Sequence, residues 1–393
     1  MKTIKDIENL AGKKVLLRAD YNVSIDNGEV QDDRKLKASL PTLAYLLDRK
    51  ARIILMTHLD RPGGEVVETQ RVDPIAEKLS DFLGQSVKKL DEYSGEKVES
   101  EIDNMDEGGI VMLENIRFSP DERENSGKLA QSLADLADIF VFDGFGVAHR
   151  DHSSVSGVAE SLDSYAGLLV KKEVKNLDKV LSEPSRPLSL VMGGVKVETK
   201  LPVIEKLQDK TDYMMAGGGI LNTFLASENI DIGDSVYNKD LLEHANELYQ
   251  LEEIIKPLDV TVASTQYKNR RVEYIRDDTA KLCSKGEQIL DLGPETIGRY
   301  QDYIEQSKTV IYNGAMGLFE QSPFHLGTQA ILESIAKVAG RDDTFTVLGG
   351  GETVQSLSLI DDSSDIDFIS SGGGAMLHYL SGKELPGLKH LSD

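Results

Sequence analysis

The stretch Ile139-Phe140-Val141-Phe142-Asp143-Gly144-Phe145-Gly146-Val147-Ala148-His149-Arg150 decides the fold class. An apolar run too short for a helix passes directly into a glycine-punctuated loop that ends on a histidine and an arginine. Such a run, bounded by turn residues, is the pattern of a strand buried on both faces of a parallel sheet. The same unit recurs upstream. Val15–Arg18 runs into Ala19-Asp20-Tyr21-Asn22, and Arg52–Met56 into Thr57-His58-Leu59-Asp60-Arg61-Pro62. Ile110–Leu113 runs into Glu114-Asn115-Ile116-Arg117-Phe118. Helical periodicity at Ser39–Asp48, Asp73–Leu83 and Lys128–Ala137 alternates with these strands, which predicts an α/β fold with parallel sheets.

The second half repeats the alternation, with strands expected at Leu188–Val191, Asp212–Met215, Val260–Ala263, Thr309–Tyr312, Phe345–Leu348 and Phe368–Ser370. Between the halves, Ala166–Ser182 reads as one long helix ended by Pro184 and Pro187. A chain of 393 residues is too long for one ordinary core. The organisation expected is a first domain over 1–168, an interdomain helix over 169–184 and a second domain over 185–375.

The 44 Lys and Arg against 67 Asp and Glu leave a net charge of −23. That surface repels nucleic acid and anionic lipid, so neither is expected as a partner. It suits either adaptation to high salt or an ordinary acidic cytosolic protein. No apolar run reaches the length of a membrane span, and the first residues lack the apolar core of a signal peptide. The single cysteine, Cys283, fits a reducing compartment and reads as a small buried residue. A soluble cytoplasmic protein is expected.

In an acidic protein that handles an anion, basic residues must be gathered locally. Ligands of parallel sheets bind beyond the carboxyl ends of the strands. There the first half places Arg34, Arg61, Arg117 and Arg150 with His58, as well as Asp20 and Asn22. Arg offers a planar fork of donors suited to carboxylate and phosphate oxygens. Any one of these arginines could equally make a surface ion pair, but four at equivalent positions point to a small, multiply charged anion. His149 and His152 lack a third ligand in a recognisable pattern, so a positioning or structural role fits them better than a metal.

The second half carries Gly217–Gly219, Gly349–Gly351 and Gly372–Gly374, with Gly193-Gly194 as a shorter site. Glycine loops between strand and helix let backbone N–H groups approach phosphate, although tight turns need glycine for conformation alone. Neither G-x-x-x-x-G-K-[ST] nor G-x-G-x-x-G occurs, so an ordinary P-loop enzyme and a dinucleotide enzyme are both disfavoured. Lys196 and Lys200 would share a face of a helix beginning near Lys196, either to hold phosphate between them or as two solvated lysines.

Taken in order, these motifs closely resemble phosphoglycerate kinase over essentially the whole chain. They are Val15–Val23, Thr57–Pro62, Leu113–Phe118, Asp143–Arg150, Gly193–Lys196, Gly349–Thr353 and Ser370–Ala375. The resemblance implies two Rossmann-like domains joined by a hinge helix, a C-terminal segment (376–393) packed back on the first domain, and a monomer. It implies that 3-phosphoglycerate or 1,3-bisphosphoglycerate binds at Asp20, Asn22, Arg34, His58, Arg61, Arg117 and Arg150, with Tyr21, Leu59 and Asp60 in the same motifs. It places ATP or ADP at Lys200, Gly218, Asn313, Glu320, Gly350, Gly351, Glu352 and Thr353. Arg34, Lys196, Gly350 and Gly373 fall where the transferring phosphoryl group is stabilised. Mg²⁺ is implied with the nucleotide, held through Glu352 where the family usually has Asp. Other departures are Asp60 for a family Gly, Tyr312 and Ala315 in the usual Trp-Asn-Gly-Pro, and Glu198-Thr199 for Ser-Asp.

Overall fold

The computed structural model describes residues 1–391 and divides into two compact units. The first comprises Met1–Lys175 together with the segment from Glu384 onward, and the second Asn176–Lys383. The division falls inside the helix Leu168–Ser182.

The first unit is built on a six-stranded parallel sheet. Its order is Lys88–Lys89, Ile110–Met112, Arg52–Met56, Lys14–Arg18, Ile139–Phe142 and Ser164–Ala166. The four central strands coincide with the four apolar runs to within one residue. Their side chains are buried almost throughout, because helices cover both faces of a parallel sheet. Near the end of the chain, the Gly387 amide donates to the Ala148 carbonyl (2.9 Å) and the Leu391 carbonyl accepts from Lys2 (2.7 Å). Residues 376–383 of the expected packing segment belong instead to the second unit, and 392–393 lie outside the described residues.

The second unit has a five-stranded parallel sheet ordered Tyr213–Ala216, Leu188–Met192, Thr309–Asn313, Phe345–Gly349 and Phe368–Ser370. One expected strand behaves differently. Asp259–Ser264 does not join this sheet; it pairs antiparallel with both Arg271–Tyr274 and Glu287–Leu292. Those partners carry charges along their length, so they do not form apolar runs. Cys283 is buried. Among the described residues, no helix is long and apolar enough to cross a membrane.

Candidate active site

The first unit gathers its basic side chains where strands end. Arg61, Arg117 and Arg150 line one cleft of about 620 Å³, joined by Arg123 and His152, with Gly63, Gly64, Ser119, Pro120 and Glu124 completing it. Each long side chain emerges from a loop fixed from behind. Asp60 adopts φ +52°, a left-handed conformation Asp tolerates better than most residues, which accounts for glycine being usual there. Its amide donates to Asn22 Oδ1 (2.9 Å), while its carbonyl accepts from Arg117 Nη1 (2.5 Å).

Behind the cleft lies a layer that the sequence pattern does not single out. Arg18, the last residue of its strand, is buried and donates to Ser154 Oγ (3.0 Å). Ser154 in turn donates to the buried Glu122 (2.6 Å). Arg18 Nη2 also lies 3.2 Å from His58 Nδ1. Burial pushes the Arg117 guanidinium down to about 10, aided by Arg150 and Arg18 beside it, so it stays protonated near neutrality. Burial likewise lowers Arg150. Among the described residues, the buried His58 Nε2, Arg117 Nε and Arg150 Nε have no partner.

Several expected residues sit elsewhere. Arg34 is the first residue of the helix Arg34–Leu47, and its side chain, 55% exposed, forks onto Asp32 at 2.8 and 2.6 Å. It is not part of the cleft wall. Tyr21 and Leu59 are buried; the Tyr21 hydroxyl meets Ser39 Oγ (2.7 Å), and the Leu59 amide donates to Asn115. Asp20 is paired with Lys35 (2.8 Å).

The second unit holds a different kind of cleft, about 350 Å³, with a largely apolar wall. Leu221, Val236, Leu290, Met316 and Leu318 supply that wall, while Asn222, Tyr267, Glu320 and Glu352 stand at polar positions. The glycine loops divide by role. In the first triplet the amides are engaged: Gly217 donates to Met192, Gly218 to Met316 and Gly219 to Gly194. Gly193 and Gly194 donate to Asn313 and Ala315. These loops are stitched together into the cleft floor and do not cradle phosphate with those amides. Gly218 at φ +55° and Gly194 at φ +77° need glycine for that conformation.

Gly350 and Gly373 stand instead at helix starts, where amides lack intrahelical acceptors. A Cβ on Gly373 would lie 3.4 Å from Gly350 Cα, so the two loops abut. Asn313 and Thr353 are buried and hold these loops, Asn313 Nδ2 donating to Gly349 (2.6 Å) and Thr353 Oγ1 accepting from Gly314 (2.7 Å).

The two lysines differ in burial, although the Lys196 charge still acts on Lys200. Lys196 is the exposed residue preceding the helix Val197–Leu207, whereas Lys200 is buried within it. Burial lowers the Lys200 ammonium, and the nearby Glu352 carboxylate works against that shift. Lys200 and Glu352 both crowd Gly194: a Cβ there would collide with Glu352 Oε2 and lie 2.9 Å from Lys200 Nζ.

Known proteins similar to this chain show its family. The phosphoglycerate kinase family profile matches residues 4–383. The chain belongs to the phosphoglycerate kinase family. A phosphoglycerate kinase of Pelotomaculum thermopropionicum is 41% identical over 397 residues, covering 100% of this chain and 99% of the relative. One of Dictyoglomus turgidum is 41% identical over 399 residues with the same coverage. Among solved structures, phosphoglycerate kinase from Coxiella burnetii superposes with a TM-score of 0.84 at 34% identity, covering 99% of this chain and 98% of that one. The Pyrococcus horikoshii enzyme gives 0.85 at 30% identity, covering 100% and 98%. The parallel-sheet α/β architecture is thus that of phosphoglycerate kinase, and so is the activity: a kinase with a carboxyl group as acceptor, working in glycolysis.

Proposed function

We propose that the arginine cleft of the first unit holds 3-phosphoglycerate or 1,3-bisphosphoglycerate, and that the apolar cleft of the second holds ATP or ADP. The observation that carries the first assignment is the convergence of Arg117, Arg123 and Arg150 on one cleft. Their charges disfavour one another, as at Arg150 beside Arg61 and Arg123, and a bound polyanion offsets that repulsion. Arg61 adds a further donor fork at the cleft wall.

The transfer links a carboxylate oxygen of the glycerate to the phosphoryl group on the β-phosphate oxygen of ADP. Both acceptors are ionised near neutral pH, so no general base is needed. The residues must instead bring two polyanions together and stabilise spread charge. Arg34 and Lys196 are exposed and long enough to move, and we assign them to the transferring group together with Gly350 and Gly373. Lys200, Gly218, Asn313, Glu320, Gly351 and Thr353 belong to the nucleotide side by the same reading. Because the two ligands belong to different units, the reacting complex requires closure about the connecting helix, which also excludes water.

The residues fit Mg²⁺ carried by the nucleotide. Among the described residues, no cluster of three His, Cys, Asp or Glu could hold a metal alone. Glu352 lines the nucleotide cleft and offers a single carboxylate, the share a protein gives when phosphates and water complete the shell. Bound there, Mg²⁺ supplies charge neutralisation across the phosphates. We further propose a monomer in the cytoplasm, in keeping with the single buried cysteine.

A coupled assay with ATP and 3-phosphoglycerate, run beside other small phosphorylated acids and across a KCl series, tests this reading. Turnover restricted to 3-phosphoglycerate is expected; equal turnover of the other acids contradicts the substrate assignment.

A further inference from the structure

Between the loops that carry Arg61 and Arg117 lies Asn115, fully buried. Its side chain makes four hydrogen bonds. Oδ1 accepts from the amides of Leu59 and Arg117, each at 3.1 Å. Nδ2 donates to the carbonyls of Leu59 (2.8 Å) and Gln70 (2.9 Å). Both amide protons and both acceptor directions of the carboxamide are therefore used, and no other side chain of this size offers that set. Leu59 is gripped at both its backbone N–H and its C=O, two residues before Arg61. The Arg117 amide is gripped by the same oxygen. One side chain thus ties two strand-end loops of different origin into one frame, and Arg117 Nη1 closes it by donating to Asp60.

The support extends outward. The Asn115 amide donates to Glu114 Oε1 (2.8 Å), and that carboxylate is buried and gripped by Arg71 and Lys89, each at 2.7 Å. A carboxamide held this firmly cannot rotate without breaking several bonds together. Long arginine side chains lose affinity when their roots shift, because paired donor geometry is sensitive to small displacements.

We propose that Asn115 is a positioning residue, which sets the separation of Arg61 and Arg117 and so the affinity for the phosphorylated acid without touching it. This rests on the assignment of the arginine cleft given above. Asn115→Asp keeps the shape and the acceptor but turns the two donors into an oxygen facing carbonyls; Asn115→Ala removes all four bonds. In calorimetric titrations both variants are expected to bind 3-phosphoglycerate at least tenfold more weakly, with MgADP affinity within twofold of wild type. In the assay, KM for the acid rises while KM for ATP holds. A residue serving stability alone would lower the melting temperature and leave the acid's affinity unchanged in the folded protein, and that result overturns the proposal. Arg117→Gln separates the two levels: if it binds the acid normally, the cleft assignment itself fails. Should neither Asn115 variant fold, hydrogen exchange in the wild type decides. The Leu59 and Arg117 amides should exchange slowly and be slowed together by 3-phosphoglycerate; independent responses contradict the shared tether.

Discussion

Arg18 Nη2 lies 3.2 Å from His58 Nδ1, and both side chains are buried beneath the arginine cleft. A guanidinium can only donate, so Nδ1 accepts and the imidazole carries its proton on Nε2. Burial pushes the His58 pKa well below the usual histidine range, and the charges of Arg18, Arg117, Arg150 and Lys35 push the same way. In the complex proposed above, His58 therefore acts as a neutral donor. Its ring resonances should show no titration between about pH 5.5 and 8, the span in which an ordinary histidine changes charge. A step near the ordinary histidine pKa would contradict the pairing with Arg18.

Arg34 makes a second prediction. It is parked on Asp32 and more than half exposed, so the role proposed for it requires it to leave that carboxylate. Arg34→Met should lower kcat by about 100-fold or more, as loss of one charge-stabilising donor does. Nucleotide affinity should barely change. Near-wild-type turnover would refute the role.

Glu352 stands where the family usually has Asp, beside Lys200 at the edge of the nucleotide cleft. Glu352→Asp should remain active with a modest shift in the Mg²⁺ concentration needed for half-maximal rate. Complete loss would mean that the surroundings, including the buried Lys200, are built around the longer side chain.

Asp143 is buried at the start of the helix Leu168–Ser182, its Oδ1 accepting from the amides of Leu169 (2.9 Å) and Val170 (3.2 Å). Burial raises its pKa to about 7, although hydrogen bonds from Thr42 and the two helix amides work the other way. A carboxyl group whose folded pKa is raised contributes stability that is present below its unfolded pKa and lost as pH rises through the folded value. At pH 8 the buried charge destabilises the fold. Asp143→Asn should therefore melt higher than wild type at pH 8, with an advantage that shrinks as pH falls through 7. A pH-independent difference would argue against a protonated Asp143.

Much of the architecture is legible in the chain itself. Strands such as Ile139–Phe142 can be read because burial on both faces leaves an unbroken apolar run. Asp259–Ser264 is visible as a strand but not as antiparallel, since its partners Arg271–Tyr274 and Glu287–Leu292 carry charges that break an apolar run. Arg61, Arg117 and Arg150 stand out by their places after strands. Arg123 does not, because it follows Pro120 in a charged stretch where nothing marks the direction of its side chain. The glycine triplets look alike in sequence. Only the fold shows that Gly217–Gly219 spend their amides on neighbouring loops while Gly350 and Gly373 open helices. The difference between Lys196 and Lys200 has the same origin, since one lies outside the helix and the other is buried within it.

The division of labour between the two units is the central claim, and Arg150→Gln tests it most directly. Arg150 lines the cleft proposed for the anion, and among the described residues its buried Nε has no partner. Calorimetric titration should show 3-phosphoglycerate bound about tenfold more weakly or worse, the scale of one lost charged hydrogen bond. MgADP should bind as it does to wild type. Unchanged affinity for 3-phosphoglycerate, or equal losses for both ligands, would contradict the account.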